Sequence, residues 1–283
     1  MAHIILQAPR LMAADIERLA AVACAGGVQE LGPTAVRLLD VDPDTREETL
    51  TEAARLRMDA AWLDTVHRLG DCKVLAMDMD STLVNIECID EIADAVGRKA
   101  EVSAITEAAM RGEIKDFSES LRRRVALLRG VPESALEQVF TERLRLNPGA
   151  ERLIEVVRAH GLKTILVSGG FTFFTERLRK GLGLDEAHAN VLETVDGVLT
   201  GRVLGDIVDG AAKARHVAAL AQSVGATPEQ IIVLGDGSND LPMMAHAHYS
   251  VAYRAKPVVR AQARFSLDYS PLDAVLNWFR LRH

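Results

Sequence analysis

Four short apolar runs, each followed at once by a loop, constrain the fold more than any other feature of the sequence. They are KVLAMDMDST, LKTILVSGGF, QIIVLGDGSND and HYSVAYRAK. Runs of this length without polar alternation are typical of parallel strands buried on both faces. Helical patterns separate them, for example over 150–160 and 211–224, so we predict an α/β fold with a doubly wound parallel sheet. Ligands of such sheets bind at the carboxyl ends of the strands.

Two further segments flank or interrupt this pattern. The sequence pattern over 1–70 predicts a small α+β domain with a strand over 35–39 and a long helix over 45–67. We interpret this domain as a packing or regulatory appendage. Residues 86–147 read as about four helices. An insert just after the first strand-end loop would lie over a site at that loop, so we predict a cap that closes on substrate.

The catalytic core is then predicted to comprise residues 71–85 and 148–283, with the cap inserted between them. The break that ends the cap pattern is the Asn147-Pro148-Gly149 turn.

Composition excludes several classes of partner. The net charge is −7, which disfavours binding to nucleic acid or anionic lipid. No apolar stretch reaches the roughly 18 residues of a membrane span, and the first residues lack the basic region of a signal peptide. Three scattered cysteines favour free thiols over disulfides or zinc. We therefore predict a cytoplasmic protein without nucleic-acid or membrane partners, and we leave association into a homo-oligomer open.

The first chemical cluster is Asp78-Met79-Asp80-Ser81-Thr82, directly after an apolar run. Two carboxylates one residue apart can serve different purposes, because one can attack phosphorus while the other handles the proton of the leaving oxygen. An acidic turn is the alternative interpretation, since Asp and Ser are also favoured in turns.

Two weaker signals could complete a phosphate site. Ser168 and the following glycines precede a helical pattern, where a hydroxyl and free backbone amides can bind phosphate oxygens. Lys213 lies near the start of another helical pattern and could neutralise the repulsion between a carboxylate and a phosphate. A simple turn and a surface lysine are the alternatives.

The third cluster is Gly235-Asp236-Gly237-Ser238-Asn239-Asp240. Asp236 and Asp240 offer the oxygen ligands that Mg²⁺ prefers. A calcium-binding EF-hand would need glycine and glutamate where this chain has Leu241 and Ala247, so that alternative fails.

Together, these elements resemble the haloacid dehalogenase superfamily, whose pattern is DxDx[TS], then Ser or Thr, then Lys, then GDxxxD. The resemblance implies Asp78 as nucleophile and Asp80 as general acid and base. It also implies Mg²⁺ held by the Asp78 carboxylate, the Asp80 main-chain oxygen and Asp236. The other implied site residues are the substrate-binding Ser168, Gly169, Lys213 and Asn239 and the supporting Thr82 and Asp240. Because Asp80 can protonate an alkoxide and then deprotonate water, the pattern favours hydrolysis.

Longer segments, including DMDSTLVNIECIDEIAD, VSGGFTFF and GDGSNDLPMM, resemble bacterial phosphoserine phosphatases. That resemblance covers about residues 73 to 270 and implies hydrolysis of phosphoserine, the last step of serine biosynthesis. It implies that Glu87 binds the substrate ammonium, that Arg124 binds its carboxylate and that Phe117 shields the site. The family segment GELDF is one residue longer here, over 112–117. Relatives often carry an ACT-like amino-acid-binding domain where residues 1–70 lie, and here we find no ligand motif.

Two other functions remain open from the sequence. A phosphatase for a different small phosphomonoester would share the core clusters and differ in the cap. A non-catalytic amino-acid-binding regulator would rely on the N-terminal domain, although the intact set of Asp78, Asp80, Lys213 and Asp236 disfavours it.

Overall fold

The computed structural model describes residues 2–110, 114 and 116–281, which form two β-sheets with helices packed against them. The first sheet is N-terminal, and its strands are antiparallel in the order β2-β3-β1-β4, a ferredoxin-like βαββαβ arrangement. Its elements are β1 (Ala2–Gln7), α1 (Ala13–Val22), β2 (Gly27–Gly32), β3 (Ala35–Val41), α2 (Arg46–Arg55) and β4 (Asp59–Leu63).

The single helix predicted over 45–67 is wrong. Helix α2 ends at Arg55, and β4 begins at Asp59 after Arg57 adopts a left-handed φ of 58°. The alanines of the Asp-Ala-Ala-Trp-Leu strand favour a helix by propensity, and the strand contains no β-branched residue that would mark it. Pairing with β1 along its whole length overrides that propensity.

The first sheet is buried on both faces. Adjacent residues of a strand point to opposite faces, and Ile4 and Ile5 of β1 are both fully buried. Ile4 packs in one cluster with Leu19 of α1, whereas Ile5 belongs to the large cluster that contains Trp278. The Asp59 carboxylate also accepts hydrogen bonds of 2.7 to 3.3 Å from the backbone amides of residues 268–270. The N-terminal sheet is therefore joined to the rest of the chain by apolar packing and by a buried carboxylate.

The second sheet has seven strands in the order β11-β10-β9-β5-β6-β7-β8, all parallel except β8. From β5 onwards the elements are β5 (Val74–Met77), α3 (Cys88–Ala95), α4 (Lys99–Met110), α5 (Phe117–Ala126), α6 (Glu133–Gln138), α7 (Ala150–Ala159), β6 (Lys163–Phe171), α8 (Thr172–Leu182), β7 (Glu186–Val195), β8 (Val198–Leu204), α9 (Gly210–Ser223), β9 (Ile231–Gly235), α10 (Leu241–Met244), β10 (Tyr249–Tyr253), α11 (Pro257–Arg260) and β11 (Phe265–Leu267). The predicted doubly wound α/β fold is confirmed.

The strand order determines where a site can form. From β5 the chain passes to β6 on one side, and β9 lies on the other. Such a reversal opens a crevice at the carboxyl ends of the strands. The loops that follow β5 and β9 and the end of β6 therefore meet at one edge of the sheet, although they are far apart in sequence.

Helices α3 to α6 leave and rejoin the core through two paired segments. Asn85 donates its backbone N–H to the Arg145 carbonyl at 3.0 Å, and Asn147 donates to the Leu83 carbonyl at 2.9 Å. The Asn147 side chain donates to the carbonyls of Thr82 and Val84 at 2.8 and 3.1 Å. This short antiparallel connection holds both ends of the helical segment beside the loop that follows β5.

The β7–β8 hairpin is a second support for the helical segment. The Leu199 carbonyl of β8 accepts from the Gly130 N–H at 2.9 Å, and the Leu199 N–H donates to the Val131 carbonyl at 2.8 Å. The alternation of strands and helices in the sequence did not predict this hairpin. It extends the core sheet outwards until it contacts the segment between α5 and α6.

Candidate active site

Asp78 lies directly beyond β5, in the centre of the sheet. Its backbone N–H donates to the Leu234 carbonyl of β9 at 3.0 Å, so strand pairing holds this residue at the carboxyl edge, where it is 6% exposed. The chain then turns sharply, and Ser81 adopts a left-handed φ of 57°. Backbone strain of this kind in a residue other than glycine is concentrated at functional sites.

Lys213 of α9 is fully buried beside Asp78. Its ammonium lies 2.6 Å from Asp78 Oδ1 and 2.7 Å from Asp240 Oδ1. Burial by itself lowers the pKa of this lysine, but the two carboxylates outweigh it and raise the pKa above its usual value. Lys213 is therefore a permanent positive charge in contact with Asp78, not a surface lysine.

The loop after β9 is built around Asp240. The second oxygen of this buried carboxylate accepts from the N–H groups of Asp236 and Gly237 at 3.1 and 3.0 Å. A Cβ at Gly235 would lie 2.5 Å from the same oxygen, so the loop requires glycine there. Since both Asp240 oxygens have partners, this residue shapes the loop and holds Lys213.

Asp236 faces the same space, and among the described residues its carboxylate has fewer hydrogen-bond partners than that of Asp240. Its Oδ1 accepts from the Thr82 hydroxyl at 3.3 Å. Burial raises the pKa of Asp236 to about 7, and the charge of Asp240 adds to the effect. Asn239 lies on the same turn and is half-buried, and its side-chain oxygen folds back over Gly237.

These carboxylates form a cluster that can hold a metal ion. One oxygen from each of Asp78, Asp236 and Asp240 lies within 4.8 Å of the others. Burial raises the pKa of Asp78 well above its usual range, and Asp240 raises it further, while Lys213 opposes both. A divalent cation would offset this excess negative charge, and hard oxygen donors suit it. Because the Asp240 oxygens are engaged, Asp78 and Asp236 are the residues best placed to bind it.

Asp80 is not part of this cluster and contacts the start of the helical segment. Its Oδ1 accepts from the Cys88 N–H, at the start of α3, at 3.1 Å. Burial raises the pKa of Asp80 to about 7, with a further contribution from the charge of Glu87. A carboxyl group with this pKa can both donate and accept a proton near neutral pH.

Ser168 lies in the last part of β6, beyond the residues that pair with β5, and is fully buried. Its Oγ accepts from the Gly170 N–H at 2.8 Å. A Cβ at Gly170 would lie 2.8 Å from Asp80 Oδ2, and one at Gly169 would lie 2.8 Å from Cζ of Phe117. Both glycines are therefore needed because other groups approach their backbone closely.

The residues predicted to recognise substrate come from the helical segment. Phe117, the first residue of α5, contacts the backbone at Gly169. Glu87 accepts a hydrogen bond from the Ser81 hydroxyl at 2.7 Å. Arg124 is half-buried, and burial lowers its pKa while the charges of Asp90, Glu87 and Asp80 oppose that effect. Of the lengthened segment before Phe117, residues 112, 113 and 115 lie outside the described residues.

The structure also brings together residues that the sequence did not single out. Cys88 donates to Asp80, and Asn190 of β7 contacts the backbone next to Ser168. Asn190 interrupts the strand pattern of β7, and asparagine is depleted in strands, so this was an available signal. Cys88 carried no such signal, because a cysteine at a helix start is unremarkable.

Comparison with known proteins agrees with this geometry. The family model for haloacid dehalogenase-like hydrolase matches residues 75–245, and a domain of unknown function (DUF4072) matches residues 4–49. A phosphoserine phosphatase from Polaromonas sp. is 58% identical over 214 residues, which cover 74% of this chain and 91% of the relative.

Two solved structures resemble almost the whole chain. The haloacid dehalogenase family hydrolase from Salmonella enterica serovar Typhi is 30% identical with a TM-score of 0.89, and the match covers 99% of both chains. The probable phosphoserine phosphatase from Vibrio cholerae is 37% identical with a TM-score of 0.84, over 99% of this chain and 86% of that one.

The chain belongs to the haloacid dehalogenase-like hydrolases. Within that family it is similar to proteins named phosphoserine phosphatase, so the resemblance inferred from the motifs is confirmed. Across the described residues, no helix combines the length and apolarity needed to cross a bilayer.

Proposed function

We propose that this chain is a magnesium-dependent phosphoserine phosphatase that hydrolyses O-phospho-L-serine to L-serine and phosphate through an aspartyl-phosphate on Asp78. The observation that carries the proposal is the buried contact between Asp78 and the Lys213 ammonium at 2.6 Å, next to Asp80 with its pKa of about 7. A nucleophile held by a cation and a neighbouring acid–base group are the two parts that phosphomonoester hydrolysis through an enzyme-bound phosphate requires. The similarity to phosphoserine phosphatases supports the substrate.

The first half-reaction transfers the phosphoryl group. An oxygen of Asp78 attacks phosphorus, the bond to the seryl oxygen breaks, and the proton of Asp80 passes to that oxygen as serine leaves. Lys213 neutralises charge on Asp78 and on the phosphate. The proposed phosphate-binding groups are Ser168, Gly169, Lys213 and Asn239.

The second half-reaction releases phosphate. Asp80, now a carboxylate, takes a proton from water, the water oxygen attacks phosphorus, and the bond to the Asp78 oxygen breaks. Asp78 is regenerated as a carboxylate and Asp80 in its protonated form. Both half-reactions need the same group to alternate between acid and base, which a pKa of about 7 allows.

We assign the metal site to the Asp78 carboxylate, the Asp80 main-chain oxygen and Asp236. When bound, Mg²⁺ supplies positive charge that lets the Asp78 carboxylate and the phosphate dianion approach one another. The Thr82 hydroxyl, through its hydrogen bond to Asp236, and Asp240, through Lys213 and the loop amides, support this site.

Substrate selection is assigned to the cap over 86–147. Glu87 and Arg124 offer opposite charges near Asp80, and an α-amino acid carries an ammonium and a carboxylate a few ångströms apart. Arg binds carboxylates through two parallel hydrogen bonds. Phe117 contacts residues 168–170 at the end of β6, which we call the phosphate-binding loop, and would exclude water from it. In this proposal, residues 1–70 form an ACT-like domain, and the enzyme acts in the cytoplasm at the last step of serine biosynthesis.

Three esters test the substrate assignment directly. We compare phosphoserine with phosphoethanolamine, which lacks the carboxylate, and with 3-phosphooxypropanoate, which lacks the ammonium. Arg124→Ala should lower kcat/KM for phosphoserine by about tenfold to a hundredfold or more, as expected for a charge-assisted bond worth roughly 1.5–3 kcal/mol. It should barely affect phosphoethanolamine. Glu87→Gln should show the reverse selectivity between the two analogues.

The control is Arg122→Ala, which removes an exposed arginine of the same helix and should leave all three esters unaffected. Equal losses on every ester in Arg124→Ala would mean that this residue supports the cap and not substrate recognition. The alternative, a phosphatase for another small phosphomonoester, would then be favoured.

A further inference from the structure

A buried side chain of β7 connects the two segments that carry the proposed phosphate-binding residues Ser168 and Lys213. Asn190 is 1% exposed, and its amide nitrogen donates to the carbonyls of Gly169 and Gly170 at 2.9 and 3.2 Å. Its side-chain oxygen accepts from the Val208 N–H at 2.8 Å. All the donors and one acceptor position of this amide are therefore used, and they join three segments of the chain.

The first two bonds fix the direction of the backbone amides. In a trans peptide, the carbonyl and the following N–H point in opposite directions. Because Asn190 holds the Gly169 carbonyl, the Gly170 N–H is turned to the other side, where it donates to Ser168 Oγ. Holding the Gly170 carbonyl orients the next amide in the same way. Two consecutive glycines have wide conformational freedom, so this loop needs such an anchor.

The third bond reaches the helix that carries Lys213. Val208 immediately precedes Asp209, whose side chain caps α9 through the Ala212 N–H at 2.8 Å. The Lys213 N–H donates to the Asp209 carbonyl at 2.9 Å. A single amide thus connects the loop bearing Ser168 to the first turn of the helix bearing Lys213.

We propose that Asn190 is a positioning residue that sets the orientation of the phosphate-binding loop and its distance from Lys213. The inference rests on the proposed phosphatase function, since it assigns Asn190 to the phosphate subsite of that reaction. Asn190 does not touch the substrate itself. It acts through the peptide groups at Gly169 and Gly170 and through the start of α9.

Asn190→Asp is the sharpest test, because it keeps the shape and the acceptor for the Val208 N–H. It replaces the amide donor by a carboxylate oxygen that faces two carbonyl oxygens. Losing a hydrogen bond in a buried site costs roughly 1–3 kcal/mol, so at about pH 8 inhibition by inorganic phosphate should weaken by about tenfold or more. The value of kcat for p-nitrophenyl phosphate should fall in parallel.

Acid should rescue this variant. A buried carboxyl group that faces carbonyls is protonated more readily, and the protonated form regains one donor. Relative to the wild type at each pH, the variant should recover phosphate affinity and kcat as the pH falls. A role limited to holding β7 in the sheet would change stability without this recovery. Asn277→Asp, the same change at a half-buried site near the N-terminal sheet, is the control and should retain wild-type phosphate affinity.

The generic ester separates this inference from the substrate assignment. If the chain acts on another phosphomonoester, the wild type does not hydrolyse phosphoserine, while Asn190→Asp still impairs p-nitrophenyl phosphate hydrolysis and phosphate binding. If Asn190→Asp does not fold, Asn190→Ser replaces it, because it removes the same donors without adding charge, and it should also weaken phosphate binding. A folded variant with wild-type phosphate affinity at about pH 8 would overturn the proposal.

Discussion

The contact between Phe117 and Gly169 offers a steric test of how the cap meets the core. A Cβ at Gly169 would lie 2.8 Å from Cζ of the Phe117 ring and 3.7 Å from each Cε. A normal carbon–carbon contact is about 3.5 Å, so in Gly169→Ala the ring or the loop must move by roughly 0.7 Å. Gly169 does not have a positive φ, so alanine adds no backbone strain to this clash.

The magnitude follows from the packing of the ring. Overpacking a well-packed contact costs about 1–3 kcal/mol, and the cost applies only while the cap is closed on the loop. It should therefore appear as a loss of kcat/KM for phosphoserine of about fivefold to a hundredfold, with little change in thermal stability. In a Phe117→Ala background the ring is absent, so adding Gly169→Ala should cost almost nothing more.

The assay is a double-mutant cycle on kcat/KM. The four proteins are the wild type, the two single variants and the double variant, and the expected coupling is about 1–3 kcal/mol. Gly181→Ala is the control, because no atom of the described residues lies within 4 Å of a Cβ at that exposed helical position. If Gly169→Ala were equally damaging with and without the Phe117 ring, the reasoning would be refuted, and the ring would not lie over this loop in the active enzyme.

Three other predictions concern the charges of the fold. Lys213→Met should abolish activity and destabilise the protein by about 3–5 kcal/mol in urea unfolding, because Asp78 and Asp240 lose their buried counter-ion. In the metal-free protein the folded-state pKa of Asp236 is about 7, above its unfolded value, so its contribution to stability is lost as the pH rises through 7. The Tm of Asp236→Asn relative to that of the wild type should therefore rise between about pH 5 and about pH 8 in EDTA. A difference in Tm that stays constant with pH would contradict this prediction. Asp59→Ala should lower the free energy of unfolding by about 3 kcal/mol, since three backbone amides lose their acceptor. It should leave kcat near the wild-type value at low temperature. Unchanged urea unfolding would show that the hydrogen bonds between Asp59 and residues 268–270 are unimportant for stability.

The core of the site was predictable because its residues lie at strand ends. In a parallel sheet, buried strands are recognisable as short apolar runs, and the polar residues directly after them must share one edge. The positions of Asp78 and Asp236, directly after β5 and β9, follow from that rule alone, and Ser168 lies just beyond the residues of β6 that pair with β5. The burial of Lys213 does not, because a lysine near a helix start is usually exposed, and only the order of the motifs pointed to it.

Other features depend on contacts between distant segments and could not be predicted from the local sequence pattern. Strand β4 has the alanines of a helix and is determined by pairing with β1. Asp240 was predicted as a supporting residue, but its particular role depends on Lys213 and two loop amides arriving at the same carboxylate. The role of Asn190 depends on contacts among three segments of the chain. A single unusual residue in a strand pattern does not identify those segments.

The most direct test of the covalent mechanism is to identify the residue that carries phosphate during turnover. Enzyme mixed with Mg²⁺ and radiolabelled phosphoserine is quenched in acid, digested and mapped by mass spectrometry. We predict label on the peptide that contains Asp78, at the Asp78 side chain, and no label in Asp78→Asn, which should be folded and inactive. Label on a different residue, or an Asp78→Asn variant with near-wild-type turnover, would contradict the mechanism.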